Sequence, residues 1–274
     1  MKSMIDADFA DAGPLEEERH LVLEDVSVIY HGSQGALTAL EGINLSMRGG
    51  EFVAIVGPSG CGKSTLLRLV SGLRPPSTGR IILAGEPVTG PRPDVGIVFQ
   101  QPTLLPWKTV LNNVLVPIHA LGRRDQDYSK KALDLLRLVG IDAFASSYPK
   151  ELSGGMQQRV GLARGLIHDP HLLLMDEPFA ALDAMTRETL MVELQRIWMS
   201  ARKSVIFITH SIPEAVFLAD RIIVLSHRPG RVYEEVAVEL PRPRTMEVMG
   251  DPRFVALAGH LRSTFQSMPN EYAG

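Results

Sequence analysis

Residues 22–30 alternate apolar and polar side chains, which predicts a half-buried antiparallel strand at a sheet edge. A Gly/Ser turn at 31–35 leads to a second such stretch at 40–47. After Gly49 and Gly50 the character changes. Phe52-Val53-Ala54-Ile55-Val56 is apolar without a break, as expected of a parallel-sheet strand covered on both faces. Residues 65–70 continue as a helix. Pro- and Gly-rich chain from 75 to 93 frames short strands at 81–83 and 95–99. Helical spacing takes over between 101 and 152, where the stripe Leu133, Leu136 and Val139, widened by Leu135 and Leu138, stops at Gly140. The parallel pattern resumes with strands at 172–175, 205–208 and 222–225. A helix between the first two carries Leu190, Leu194, Ile197, Trp198 and Ala201 on one face. Ser211-Ile212-Pro213-Glu214 predicts a capping box opening the next helix. Residues 227–244 are Pro/Arg-rich, and 251–265 read as a terminal helix. The pattern predicts an α/β fold: a parallel-sheet core, an N-terminal antiparallel β subdomain and an inserted α-helical subdomain over about 101–165.

The chain has 274 residues, long for one domain and short for two, so one α/β unit with appendages is expected. Its divisions are a tail over 1–20, a main domain over 21–240, and a C-terminal Pro/Arg-rich segment and helix over 241–274. The tail carries Asp6, Asp8, Asp11, Glu16, Glu17 and Glu18 without an apolar core, so it reads as a frayed acidic segment rather than a signal peptide. Net charge is −3 with no dense Lys/Arg block, which argues against nucleic acid as a partner. A single cysteine, Cys61, excludes an intrachain disulfide. No apolar run approaches the ~18 residues that span a bilayer. A membrane role therefore needs a partner.

Two segments carry recognisable chemistry. Gly57-Pro58-Ser59-Gly60-Cys61-Gly62-Lys63-Ser64 has the spacing of a phosphate-binding loop, and it follows a predicted strand and opens a helix, the context such a loop requires. Its backbone N–H groups and the helix N-terminus point at phosphate oxygens. Lys63 should reach the β- and γ-phosphates, and the Ser64 hydroxyl should coordinate Mg²⁺. Asp176 and Glu177 sit just past the apolar run 172–175, at the carboxyl end of a buried strand where open α/β sheets bind ligands. Two adjacent carboxylates there call for a cation or hydrogen bonds. Asp176 is the natural Mg²⁺ partner, and Glu177 is placed to orient and deprotonate a water.

A third segment, Leu152-Ser153-Gly154-Gly155-Met156-Gln157, resembles the signature motif of ATP-binding cassette (ABC) ATPases. Ser153 and the glycines open a helix whose N-terminus offers N–H groups and a positive dipole end to an anion. The resemblance spans about 21–240 and implies a P-loop NTPase (RecA-like) core. It also implies that the anion is the γ-phosphate of ATP held by a second copy of the chain. It extends the nucleotide-binding set to Thr65, Gln157 and Tyr30, the last where the family stacks a ring on adenine; a strand tyrosine packed on the core fits that position too. Gln100 matches the glutamine that reaches the metal and links the site to the inserted helices. Ala181-Leu182-Asp183 matches the D-loop that crosses the dimer interface, and His210 matches the switch histidine that contacts the γ-phosphate. Ala180 and Gln101 depart mildly from the family pattern. Cys61, beside Lys63 and a helix N-terminus, is expected to have a lowered thiol pKa, so that alkylation blocks ATP binding.

The resemblance implies the ATP-hydrolysing subunit of a transporter: a homodimer binding two ATP with Mg²⁺, attached to membrane permease subunits. It would sit peripherally on the cytoplasmic face of the inner membrane, served indirectly by a periplasmic or lipid-anchored solute-binding protein. Leu104-Leu105-Pro106-Trp107, residues 178–184, Arg228-Pro229-Gly230-Arg231 and the Pro-Arg-Pro-Arg at 241–244 look like the bacterial nitrate/sulfonate/taurine-type importers. Alternatives are a soluble non-transport ABC ATPase and the ATPase of a lipoprotein-release or cell-division complex.

Overall fold

The computed structural model describes residues 19–32, 35–180 and 182–269. Strands β1 (Arg19–Gly32) and β2 (Gly35–Arg48) form an antiparallel hairpin, followed by β3 (Phe52–Val56) and helix α1 (Lys63–Val70). β4 (Thr78–Leu83) pairs with β1, and the short β5 (Glu86–Pro87) pairs with β4. β6 (Val95–Val98) leads into α2 (Val110–Val114), α3 (Val116–Ala120), α4 (Asp125–Leu138) and α5 (Gly154–Leu166). The chain then runs through β7 (Leu172–Asp176), α6 (Ala184–Ala201), β8 (Ser204–Ile208), α7 (Ile212–Leu218), β9 (Arg221–Leu225), β10 (Val232–Ala237) and α8 (Pro252–Ser267).

Two sheets result. The first, antiparallel, has the order β2-β1-β4-β5; the second has the order β10-β9-β3-β8-β7-β6 and is parallel except for β10. The expected α/β architecture is the one observed. All five residues of β3 and of β8 are buried, because each face of the parallel sheet carries its own cover. Alternation along β3 divides the two cores. Phe52, Ala54 and Val56 join the helices, whereas Val53 and Ile55 join α1 and the antiparallel sheet. Phe207 stacks between Phe52 and Phe179 at centroid distances of 5.8 and 5.7 Å, so truncating it to alanine should cost about 3–5 kcal/mol. Among the described residues no helix is long and apolar enough to cross a membrane.

The structure differs from the sequence pattern at several boundaries. β1 begins at Arg19, so residues 19 and 20 belong to the sheet rather than to the acidic tail expected over 1–20; residues 1–18 lie outside the described residues. α4 begins at Asp125, eight residues before the first leucine of the apolar stripe, because Asp125 and Asp127 suit the positive end of a helix without contributing to that stripe. The Pro/Arg-rich stretch conceals β10, an edge strand whose Glu234 and Glu235 hide its pairing with β9. Only half of the capping box forms: Ser211 Oγ accepts from the Glu214 N–H, while the Glu214 carboxylate turns inward to Thr209. The Pro-Arg-Pro-Arg segment is a buried clamp. Arg244 is 2% exposed, and its guanidinium donates to the carbonyls of Val216, Phe217, Ala219 and Leu240, satisfying the C-terminal end of α7. Burial lowers its pKa to about 10, which leaves it charged at neutral pH.

Candidate nucleotide site

The loop after β3 is shaped by glycine. Gly60 and Gly62 have φ of 77° and 106°, a region unfavourable to other residues. A Cβ on Gly62 would lie 2.6 Å from Leu40 Cδ2, and one on Gly57 would lie 2.7 Å from Cys61 Sγ. Lys63 opens α1 from inside this ring. It is buried, and its ammonium donates to the carbonyls of Gly57 (2.8 Å) and Pro58 (3.0 Å). Cys61 faces the opposite way, 1% exposed in the core against the antiparallel sheet. Burial pushes its thiol pKa up, outweighing the opposing pull of Lys63, so the lowered pKa expected from the neighbouring cation does not arise.

Ser64 and Asp176 come together from α1 and the end of β7, with Ser64 Oγ donating to Asp176 Oδ1 at 3.4 Å. Burial raises the Asp176 pKa, against the hydrogen bond from Ser64. A desolvated carboxylate beside an exposed hydroxyl fits Mg²⁺, which is held through one or two carboxylates plus substrate phosphates rather than by an all-protein cage. Glu177 follows in the left-handed region (φ 44°), where its N–H donates to Ile208 O at 2.9 Å. That conformation costs about 1–3 kcal/mol, and the side chain reaches the second residue after β8. Glu177 Oε2 lies 3.0 Å from His210 Nδ1, and the His210 ring is exposed. Lys63, Ser64, Asp176, Glu177 and His210 thus gather at the carboxyl ends of β3, β7 and β8.

The other expected residues are placed as follows. Tyr30 packs half-buried on the core, donates or accepts at Thr65 Oγ1 (3.3 Å), and has the Arg74 guanidinium 4.0 Å over its ring. Gln100 is exposed in the bend after β6. Asp183 caps α6, accepting from the Thr186 N–H at 3.0 Å and its hydroxyl at 2.7 Å, bonds that lower the Asp183 pKa. Ala181 lies outside the described residues.

Ser153, Gly154 and Gly155 form a separate group. Ser153 Oγ caps α5 by accepting from the Met156 N–H at 3.3 Å. Gly154 is exposed, and a Cβ on it would meet nothing within 4 Å. Gln157 turns back along the chain. Its amide donates to Pro149 O at 3.1 Å and to Leu152 O at 3.4 Å, holding the turn that precedes α5. Among the described residues no hydrogen bond joins 153–157 to 57–64.

Two residues outside the expected set also serve the site. Buried Gln158 donates to Phe99 O at 3.2 Å, tying α5 to the loop that carries Gln100. Arg228 donates through Nε (3.2 Å) and Nη2 (3.1 Å) to Gly60 O, bracing the phosphate loop from the β9–β10 connection. The Arg-Pro-Gly-Arg phrase flagged that connection without indicating what it touches.

Residues 40–180 match the profile of the ABC transporter family. The chain is 45% identical over 253 residues to the taurine import ATP-binding protein TauB of Burkholderia thailandensis, covering 90% of this chain and 96% of that one. It is 42% identical over 258 residues to the nitrate import ATP-binding protein NrtD of a Synechocystis strain, covering 92% and 97%. Among solved structures, a dimeric ATP-binding cassette in a post-hydrolysis state bound to ADP and Pi has a TM-score of 0.71 at 34% identity and covers 81% of this chain and 100% of its own. With its site at the strand ends and these similarities over most of its length, the chain belongs to the ABC transporter family as an ATP-binding protein that hydrolyses ATP to power transport.

Proposed function

We propose that this chain is the energy-coupling subunit of a bacterial importer, working as a homodimer in which each ATP lies between one copy's phosphate loop and the other copy's residues 153–155. The observation that carries this reading is the division of the anion-binding groups. Residues 57–64, 176, 177 and 210 converge, whereas the capped N-terminus of α5 has no hydrogen bond to them and leaves Gly154 open to approach. Similarity to a dimeric cassette bound to ADP and Pi supports it.

In this reading the loop N–H groups and Lys63 hold the β- and γ-phosphates, and Lys63 exchanges its carbonyl partners for phosphate oxygens. Ser64, Asp176 and Gln100 would hold Mg²⁺, which neutralises charge on the phosphates when bound. Glu177 orients the attacking water and takes its proton, steered by its bond to His210. His210, exposed beside it, contacts the γ-phosphate. Tyr30 stacks on adenine in this reading. Closing the dimer around ATP and reopening it after hydrolysis shifts the permease subunits between states. The chain then sits peripherally on the cytoplasmic face of the inner membrane, and a solute-binding protein delivers cargo to the permease. Similarity to proteins named for taurine and nitrate import supports a nitrate, sulfonate or taurine-type solute.

Glu177→Gln tests the base assignment. ATP binding should persist while turnover falls ~10²–10⁴-fold, with an ATP-bound dimer accumulating on size exclusion. Wild-type turnover in this variant would remove Glu177 from the role.

A further inference from the structure

Beneath His210 lies a buried polar pair that the phosphate chemistry does not use. Thr209 is 1% and Glu214 5% exposed, and Thr209 Oγ1 donates to Glu214 Oε2 at 2.6 Å. The same hydroxyl accepts from the Ser211 N–H at 3.0 Å, so it grips the chain on both sides of His210. The other carboxylate oxygen, Glu214 Oε1, faces Arg187 Nε at 3.6 Å. That Nε–H is buried and, among the described residues, has no hydrogen-bond partner. Arg187 belongs to α6 and reaches back, donating Nη2 to Leu182 O at 3.0 Å and its backbone N–H to Asp183 O at 3.0 Å. A path therefore runs from His210 through Thr209, Glu214 and Arg187 to residues 182 and 183, open only at the 3.6 Å gap between Glu214 and Arg187.

We infer that Glu214 and Arg187 are positioning residues for ATP hydrolysis, setting His210 according to where the segment at 182–183 lies. A purely structural role leaves the carboxylate unexplained: Ser211 already caps α7, and the surrounding residues Ala215, Val216, Phe217 and Leu218 are fully buried. Apolar residues often stabilise such a place at least as well as an ion pair, whereas a charged pair fixes one arrangement among several. Its spacing matters as well. At 3.6 Å the pair is longer than a hydrogen bond, so a shift of α6 toward α7 of roughly 0.5–1 Å closes it. The match of residues 181–183 to the D-loop would put them against the second copy in the proposed dimer, and that contact would supply the shift. The inference thus rests on the site reading given above.

The test uses the full chain with Arg187→Met, Arg187→Lys, Glu214→Gln, the Arg187→Met/Glu214→Gln double variant, and His210→Ala. Steady-state ATPase is measured at saturating Mg-ATP alongside KM and thermal melting. Each charge-removing single variant should lose about tenfold or more in kcat with KM little changed, the double variant should be no worse than the poorer single, and Arg187→Lys should recover part of the loss. Wild-type kcat in folded Arg187→Met, or losses that simply multiply in the double variant, would overturn the inference. Should Glu214→Gln fail to fold, the comparison of Arg187→Met with Arg187→Lys decides: no difference in kcat between them overturns it. His210→Ala separates the two levels. Full activity there overturns the site reading and this inference together, while an inactive His210→Ala beside a fully active Arg187→Met overturns this inference alone.

Discussion

The two helix N-termini to which the proposed function assigns phosphate, those of α1 and α5, follow opposite plans. At the start of α1 the loop is closed on itself: Lys63 is buried and bonded to Gly57 and Pro58, Arg228 braces Gly60, and a Cβ on Gly62 would strike Leu40. At the start of α5 Ser153 caps the first turn, Gln157 holds the turn before it, and Gly154 faces open space. The glycines of the first motif are therefore required by the chain's own packing. Gly154 is not, and in the proposed dimer its lack of a side chain leaves room for the second copy's nucleotide. Gly155 follows the first plan, since a Cβ on it would lie 2.8 Å from Thr186 Cγ2, so the environment of each Cβ, and not the glycine-rich pattern, separates a glycine the fold requires from one it leaves open.

Alanine substitution turns this contrast into measurements. Gly62→Ala should have the largest effect, because it combines a clash at 2.6 Å with a φ of 106°. The strained turn should cost ~1–3 kcal/mol of stability, and ATP binding measured by calorimetry should be lost. Gly154→Ala should leave ATP binding unchanged and stability unchanged or raised by up to ~1 kcal/mol, since alanine is the better helix former. Its ATPase activity should nevertheless fall about tenfold or more, because a methyl group displaces a phosphate oxygen from the helix N-terminus. A loss of melting temperature without a loss of turnover would reverse the assignment of the two glycines.

The smallest effect concerns Cys61, inside the first motif yet facing the core. Thiolate is the reactive form. A pKa raised by burial moves the rise of thiolate toward higher pH, so alkylation near pH 7 should be slower than that of free cysteine and should accelerate only on the alkaline side. ATPase activity should survive neutral treatment with iodoacetamide. Rapid inactivation at pH 7, prevented by ATP, would restore the reactive-thiol expectation.

What could be read in the sequence was what local pattern decides. The run at 52–56 followed by 57–64 reads as strand, phosphate loop and helix because all three are contiguous and each requires its residue types. β10 escaped because an edge strand needs only one apolar face and its glutamates sit in a Pro/Arg-rich stretch. Arg244 escaped for a different reason: four carbonyls from 216, 217, 219 and 240 satisfy it, and nothing in the local sequence brings them together. For Gln157 the motif gives a position and not a direction. Its amide turns back to Pro149 and Leu152, while the unremarked Gln158 links α5 to the Gln100 loop.

The central claim is that the two anion-binding groups of one copy serve different nucleotides. Mixing Lys63→Ala with Ser153→Arg tests it directly, since a mixed dimer holds one site with both defects and one with neither. Each variant alone should be inactive. An equimolar mixture, with half of its dimers mixed and one of two sites intact in each, should regain roughly a quarter of wild-type ATPase activity. A mixture no more active than its separate components, with mixed dimers demonstrated by native mass spectrometry, would contradict the shared site.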